Sequence, residues 1–241
     1  MTDQQQPPAD FGLQLYICRY KKQAAEGQAA EGQAGQSKTW SSIIEFNGPI
    51  SDSGALTLLI LAYDEMVAKA CPASRRELRR HVPGAMTALI IPATAKTIVI
   101  LASSMKKTSK HESLKSIDYL YADQRLKKAL DKAIPSEMRT KYPTHQRACG
   151  ELVAYHVWLR LMCESGKDLK ILTWGTTWKS ENSPCVKPPC TNRGTWGCKE
   201  FVEINNITPI IPGQAGPAPS LSLLPTFEVL NHPGFSDVEV P

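Results

Sequence analysis

The chain has 241 residues, of which 42% are hydrophobic and 21% are charged, and its net charge is +5. These values are typical of a globular domain with one sizeable core, and they exclude a fibrous protein. No stretch approaches the roughly 18 apolar residues of a membrane span, and residues 1–10 lack the pattern of a secretory signal. We therefore expect an intracellular protein, cytoplasmic or nuclear, without a membrane partner.

The first 48 residues predict two strands separated by a low-complexity insertion. The apolar segments Phe11–Tyr20 and Trp40–Phe46 have strand character. Between them, residues 23–36 repeat a small, polar Gln-Ala-Ala-Glu-Gly unit that has nothing to bury. We interpret this part of the chain as a flexible insertion.

A helix and then a hairpin are predicted at the start of a domain that we place at residues 49–211. Apolar residues at helical spacing predict a helix over Gly54–Ala70, preceded by the capping candidates Ser51–Ser53. Residues 74–81 carry four arginines and predict a short solvated helix. The β-branched apolar runs Ala85–Pro92 and Thr97–Ser103 are joined by a short connection, which indicates a hairpin covered on both faces.

The second half of the chain predicts two helices, two strands and a tail. Residues 121–133 have helical spacing, and residues 147–164 are apolar on most sides, which is typical of a buried helix. Strand patterns cover Asp168–Trp178 and Phe201–Ile211. Residues 212–241 are rich in Pro and Gly and predict an extended tail. Three apolar side chains could anchor that tail: Leu223, Leu224 and Phe227.

The seven cysteines are unevenly distributed, because Cys185, Cys190 and Cys198 fall within fourteen residues. A secreted disulfide scaffold would be shorter and denser in cysteine. Clustered thiols in a reducing compartment favour a metal site instead. Cys71 and Cys163 adjoin apolar helices and are interpreted as small core residues, and Cys198 could equally be a packed thiol.

Two short motifs carry a family resemblance. Cys149-Gly150-Glu151 opens a predicted helix, and the run Pro184–Cys190 follows after thirty-two residues with the spacing Pro-Cys-x4-Cys. With the order of elements around them, these motifs resemble the cytidine deaminase superfamily. The resemblance implies an α/β fold, a cytidine-deaminase-like three-layer α/β/α sandwich with a mixed central sheet.

The resemblance also implies a zinc site with one free carboxylate. Cys149, Cys185 and Cys190 would hold Zn²⁺, which leaves its fourth position to a water molecule of lowered pKa. Glu151 would move protons from that water to the base and to the leaving ammonia. The position three residues after Cys190, where a ligand would commonly lie, is Arg193. The partner of Cys190 is therefore either Cys185, which fits the family spacing, or Cys198.

The positive charge is concentrated between residues 105 and 147, where eleven Lys/Arg and five Asp/Glu give a net +6. Such a segment can be a solvated helix face or a surface for nucleic-acid phosphates. Tyr119, Tyr121 and Tyr142 lie among the cations and favour a nucleic-acid substrate, DNA or RNA.

The expected function is zinc-dependent hydrolytic deamination of a nucleobase, with cytosine favoured over adenine. Four interpretations remain open at this point. They are a nucleic-acid deaminase, a free nucleoside deaminase, a catalytically silent zinc-stabilised nucleic-acid-binding module, and a scaffold without metal whose thiols are simply buried. Glu151 argues against a silent module, because a purely structural zinc site has no use for that carboxylate.

Overall fold

The computed structural model describes eleven parts of the chain: 13, 15–22, 36–70, 82–107, 123–134, 149–161, 168–176, 184–190, 197–217, 224–230 and 238–240. The helices are α1 (Asp52–Ala70), α2 (Gln124–Ala133), α3 (Gly150–Leu161) and α4 (Cys198–Ile204). The strands are β1 (Tyr16–Lys22), β2 (Gln36–Phe46), β3 (Ala85–Pro92), β4 (Thr97–Ser103), β5 (Lys106–Lys107), β6 (Lys170–Gly175), β7 (Cys185–Lys187), β8 (Thr208–Pro209), β9 (Phe227–Val229) and β10 (Val238–Val240).

One mostly antiparallel sheet contains all ten of these strands, in the main order β10-β1-β2-β4-β3-β6-β7. The predicted hairpin is confirmed, since β3 and β4 pair antiparallel with Pro92 opposite Thr97. Two pairs are parallel, β1 with β10 and β6 with β8. The α/β class and the mixed sheet are therefore as the sequence predicted.

Helices cover both faces of the sheet. Alternate residues of β3 face opposite sides, so that Ala88 and Ile90 pack with α1 while Leu89 and Ile91 pack with α2, α3 and α4. This alternation is the reason that β3 reads as a continuous apolar run, because each face has its own core.

The predicted helix over Gly54–Ala70 is confirmed as α1, and its start is set by Ser51. The hydroxyl of Ser51 accepts a hydrogen bond from the backbone N–H of Gly54 at 3.0 Å. Asp123 has the same role at α2, where its carboxylate accepts from the N–H of Arg125 at 2.9 Å. Each cap satisfies an amide that the helix itself cannot pair.

The strand predicted over Phe201–Ile211 is wrong in its first half. Residues as far as Ile204 belong to helix α4, and only Thr208–Pro209 form a strand. Phe201 and Val202 are adjacent and both buried, which a helix permits where its packed face is broad. A short apolar run does not distinguish a buried helix from a strand.

The Pro/Gly-rich tail contributes strands to the sheet. Strand β9 pairs with β2, and the ring of Phe227 lies 5.4 Å from that of Phe46. Leu224 packs against the core under α1. The docking of these two anchors is confirmed, although we did not predict the strands.

Several sequence predictions fall on other parts of the chain, among them those for Cys71, Cys163 and Leu223. The short helix over 74–81 lies outside the described residues, and so does the low-complexity insertion over 23–36 apart from its last residue. Within the described ranges, no helix combines the length and the apolar character that crossing a membrane requires.

Candidate metal centre

Three cysteine sulfurs converge on the α3 side of the sheet. The Sγ atoms of Cys149, Cys190 and Cys198 all lie within 4.8 Å of one another. On a tetrahedral zinc ion with Zn–S bonds of about 2.3 Å, neighbouring sulfurs are about 3.8 Å apart. The cluster could therefore hold a metal ion after shifts of an ångström or less.

Cys149 is brought to the cluster by the close packing of α3 on the sheet. It directly precedes Gly150, the first residue of the helix. A Cβ atom at position 150 would lie 2.9 Å from the backbone oxygen of Ala102 in β4, closer than real Cβ atoms approach. The middle residue of the Cys-Gly-Glu motif is thus a glycine because the start of the helix touches the sheet.

Cys190 and Cys198 are joined by backbone contacts at the start of α4. The N–H of Cys198 donates to the sulfur of Cys190 at 3.4 Å, and the N–H of Lys199 donates to the carbonyl of Cys190 at 3.2 Å. Gly197 allows this approach, because a Cβ there would lie 2.4 Å from the same carbonyl oxygen. These contacts hold Cys198 next to Cys190.

Cys185, which the sequence analysis took as the third ligand, is not part of this cluster. The structure brings Cys149 and Cys190 together with Cys198, the alternative that the sequence left open, and not with Cys185. Cys185 begins β7, where it lies opposite Gly175 of β6, and it is exposed. Strand pairing holds it at the sheet edge, and the chain reaches the cluster only after β7 ends.

Glu151, the predicted proton carrier, is buried beside the sulfurs. Its Oε1 accepts a hydrogen bond from the hydroxyl of Thr173 at 3.0 Å. Thr173 in turn lies 2.9 Å from the hydroxyl of Thr87, so a short chain of hydroxyls runs from the sheet to the carboxylate. Burial raises the pKa of Glu151, and the nearby thiol of Cys190 raises it further.

Two thiols of the cluster, Cys149 and Cys198, have raised pKa values in the metal-free protein. A hydrogen bond with Cys190 raises the pKa of Cys149 well above its ordinary value, and burial adds to the effect. Hydrogen bonds with Cys149 and Cys190 do the same for Cys198. Three thiolates and a carboxylate in one buried space repel each other, and a divalent cation offsets that repulsion. The chemistry of the donor set fits a metal ion.

Sequence reasoning missed the two threonines that hold Glu151. Thr87 and Thr173 are buried hydroxyls on neighbouring strands, opposite each other in the register of β3 and β6. The signal was a polar residue at an inward position of each apolar strand. A buried hydroxyl needs a hydrogen-bond partner, so each of these threonines predicts a polar contact on the inward face of its strand.

His156 is not among the residues whose ligand atoms meet at the cluster, and it makes a polar contact with α2. It is buried on α3, and its Nε2 lies 3.4 Å from Oδ2 of Asp123 at the start of α2. His145 and the three tyrosines of the basic segment lie outside the described residues.

Comparison with family models, with curated proteins and with solved structures found no match for this chain. The geometry of the site is therefore the basis on which a function can be inferred.

Proposed function

We propose that this protein is a zinc-dependent hydrolytic deaminase of a nucleobase, and that it converts cytosine to uracil in DNA or RNA. The proposal keeps the resemblance to the cytidine deaminase superfamily, with its three-layer α/β/α sandwich, and replaces Cys185 by Cys198 in the ligand set.

One observation carries the proposal: a buried carboxylate lies beside a three-sulfur cluster. A structural zinc site is closed by four protein ligands, whereas a catalytic site has three and leaves one position open. In the part of the chain that the structure describes, three ligand side chains converge and a fourth does not. Glu151 is held next to them by Thr173, as a residue that handles protons must be.

The arrangement of α3 and α4 supports the same proposal. Cys149 immediately precedes α3, and Cys198 is the first residue of α4. The two helices contact each other through Tyr155, whose ring meets Phe201 edge-on at 5.1 Å and whose hydroxyl lies 3.4 Å from Asn205. Two adjacent helices that each begin at a metal-ligating residue are what the superfamily resemblance implies.

The reaction requires a nucleophile and a proton carrier. Zinc, when bound, supplies a water molecule that ionises near neutral pH. The water oxygen bonds to the ring carbon that bears the amine, and the carbon–nitrogen bond breaks. Glu151 takes a proton from the water and passes it to the ring nitrogen. The remaining water proton reaches the departing amine through the same carboxylate, so that ammonia leaves and a carbonyl remains.

The exposed side of α2 supports a nucleic-acid substrate. Leu126, Ala129, Leu130 and Ala133 are buried, while Arg125, Lys127, Lys128 and Lys132 are exposed. The three lysines, together with Gln124 and Asp131, line an open and shallow depression on the surface of α2. Because α2 contacts both α3 and α4, its cations lie on the same side of the sheet as the cluster.

A panel of substrates tests the proposal. Zinc-loaded protein is incubated with single- and double-stranded DNA, with RNA, and with free cytidine and adenosine, and the release of ammonia and the change of base are measured. Wild type should convert a cytosine substrate, and Glu151→Gln should not, although it retains zinc. Glu65→Gln, which removes a buried carboxylate from α1 on the opposite face, is the matched control and should remain active.

Retained zinc without turnover of any substrate would favour the silent binding module. Protein that purifies with no metal and binds none would contradict both forms of the zinc hypothesis.

A further inference from the structure

Lys187 lies next to the candidate metal centre on the edge strand β7. In the pairing of β6 and β7 it is directly opposite Thr173, the residue that hydrogen-bonds Glu151. Side chains at opposite positions of an antiparallel pair project from the same face of the sheet. Lys187 therefore projects from the face on which Glu151 lies, and it comes three residues before Cys190.

The surroundings of Lys187 leave its charge without a counter-ion in the described structure. Its side chain is half-buried, and its Nζ donates a hydrogen bond to the backbone carbonyl of Thr176. No carboxylate of the described residues forms an ion pair with it. Partial burial lowers the pKa of Lys187, while Cys185 and Glu151 act in the opposite direction. A half-buried ammonium group that forms no ion pair, and whose hydrogen bond goes to a neutral carbonyl, can still bind an anion.

A nucleotide substrate would bring such an anion to this position. A base that lies against the sulfurs of the cluster is attached to a sugar and a phosphate, which must leave the site towards an open edge. Strand β7 ends the main strand order of the sheet on the side of β6, and its first residue, Cys185, is exposed. The edge beside Lys187 is therefore where we expect the charged part of the substrate to lie.

We infer that Lys187 is a specificity-determining residue that binds a phosphate group of the substrate next to the base in the metal centre. This inference rests on the proposed function and narrows it, because it favours nucleotides and nucleic acids over free nucleosides and bases. An ammonium group can donate to phosphate oxygens while it keeps its bond to Thr176, since it has three N–H donors.

The kinetic test compares cytidine, cytidine monophosphate and a single-stranded oligonucleotide as substrates of wild type, Lys187→Gln and Lys187→Arg. Lys187→Gln should raise KM for phosphate-bearing substrates about tenfold with a small change in kcat, as expected for one lost charged hydrogen bond. The ratio of kcat/KM for phosphate-bearing substrate to that for cytidine should fall by the same factor, and Lys187→Arg should restore most of it. Lys170→Gln removes the same charge from β6 and should leave the ratio at its wild-type value.

A binding measurement tests this inference independently of the proposed function. Fluorescence anisotropy with a labelled single-stranded oligonucleotide, competed with cytidine monophosphate, needs no turnover. Weaker binding by Lys187→Gln than by Lys170→Gln supports a phosphate site at Lys187 even if no substrate is deaminated, in which case the deaminase proposal alone fails. An unchanged kcat/KM ratio together with unchanged binding would overturn the role of Lys187. Loss of zinc or of thermal stability in Lys187→Gln, without rescue by Lys187→Arg, would instead show a structural role and would also overturn it.

Discussion

The backbone of Gly150 passes so close to Thr87 that a Cβ atom at position 150 would lie 2.5 Å from the Oγ1 atom of Thr87. Thr87 is buried in β3 and hydrogen-bonds Thr173, so it has no free space to move into. The start of α3, and with it the positions of Cys149 and Glu151, is therefore set by contact with the sheet.

Replacing Gly150 by alanine should destabilise the protein although alanine favours a helix. Crowding in a well-packed region costs about 1–3 kcal/mol, against a gain of up to about 1 kcal/mol from helix propensity. Urea denaturation should show a lower free energy of unfolding, and zinc affinity should also fall. Gly84→Ala is the matched control, since nothing lies within 4 Å of a Cβ at that position. Equal stability of the two variants would show that α3 can move away from the sheet.

Serine substitutions should separate ligands from other thiols. Cys149→Ser, Cys190→Ser and Cys198→Ser each remove a sulfur of the cluster and should reduce bound zinc to well below one per chain. Cys185→Ser should retain the metal, because Cys185 is exposed at the sheet edge. Zinc is measured by atomic emission after dialysis against a weak chelator. Loss of zinc in Cys185→Ser with retention in Cys198→Ser would reverse our assignment.

Removal of the Thr173 hydroxyl should weaken catalysis without releasing metal. The hydroxyl positions Glu151, and a buried hydrogen bond of this kind contributes about 1–1.5 kcal/mol, which corresponds to about a tenfold change in rate. We expect kcat of Thr173→Val to fall by about that factor, with little change in KM. Thr173→Ser retains the hydroxyl and should keep most of the activity. A large rise in KM with unchanged kcat would argue against a positioning role.

His156 should make the protein less stable in mild acid. Its burial lowers its pKa from 6.5 to about 4, and the nearby Arg160 and Arg125 act in the same direction while Asp123 opposes them. The folded state thus keeps His156 neutral in a range where the unfolded chain binds a proton. The free energy of unfolding should therefore fall as the pH drops from 6.5 to about 4, by an amount on the order of 3 kcal/mol.

Urea denaturation of wild type and of His156→Gln over this pH range measures the contribution of His156 to the pH dependence of stability. The variant has no imidazole to titrate, so its stability should vary less with pH than that of wild type. If the free energy of unfolding changes with pH in the same way for both proteins, His156 does not contribute to the loss of stability in acid.

The exposed lysines of α2 should determine the salt dependence of nucleic-acid binding. Each phosphate contact contributes about 0.7–0.9 to the slope of log K against log salt concentration. The triple variant Lys127→Gln, Lys128→Gln, Lys132→Gln should bind single-stranded DNA or RNA more weakly and reduce that slope by up to about 2. Binding is measured by anisotropy across a series of salt concentrations.

A triple variant on other surfaces is the control for net charge. Lys69→Gln, Lys96→Gln and Lys170→Gln remove three cations that pair with carboxylates elsewhere in the fold. Its salt slope should stay near that of wild type. If the two triple variants reduce the salt slope by the same amount, the overall charge of the protein determines binding and the α2 surface does not.

Much of the fold was predictable because local patterns agreed with tertiary packing. The β3–β4 hairpin and α1 have strong periodic signals, and they lie at nearly the predicted residues. Helix α4 was mistaken for a strand, since seven residues with two adjacent buried side chains carry no clear period. Strands β9 and β10 were missed, because a Pro/Gly-rich tail becomes a strand only where an existing sheet edge pairs with it.

The sequence by itself determined that Cys149, Gly150 and Glu151 open a buried helix and that more thiols follow a strand. The resemblance of these motifs to those of the cytidine deaminase superfamily brought Cys149, Cys190 and Glu151 into one hypothesis. Only the tertiary structure decided that Cys198 and not Cys185 completes the cluster, and that Thr173 and Lys187 lie beside it. Those relationships depend on how β6, β7 and α4 pack together, and the spacing of residues along a chain does not determine which distant segments meet.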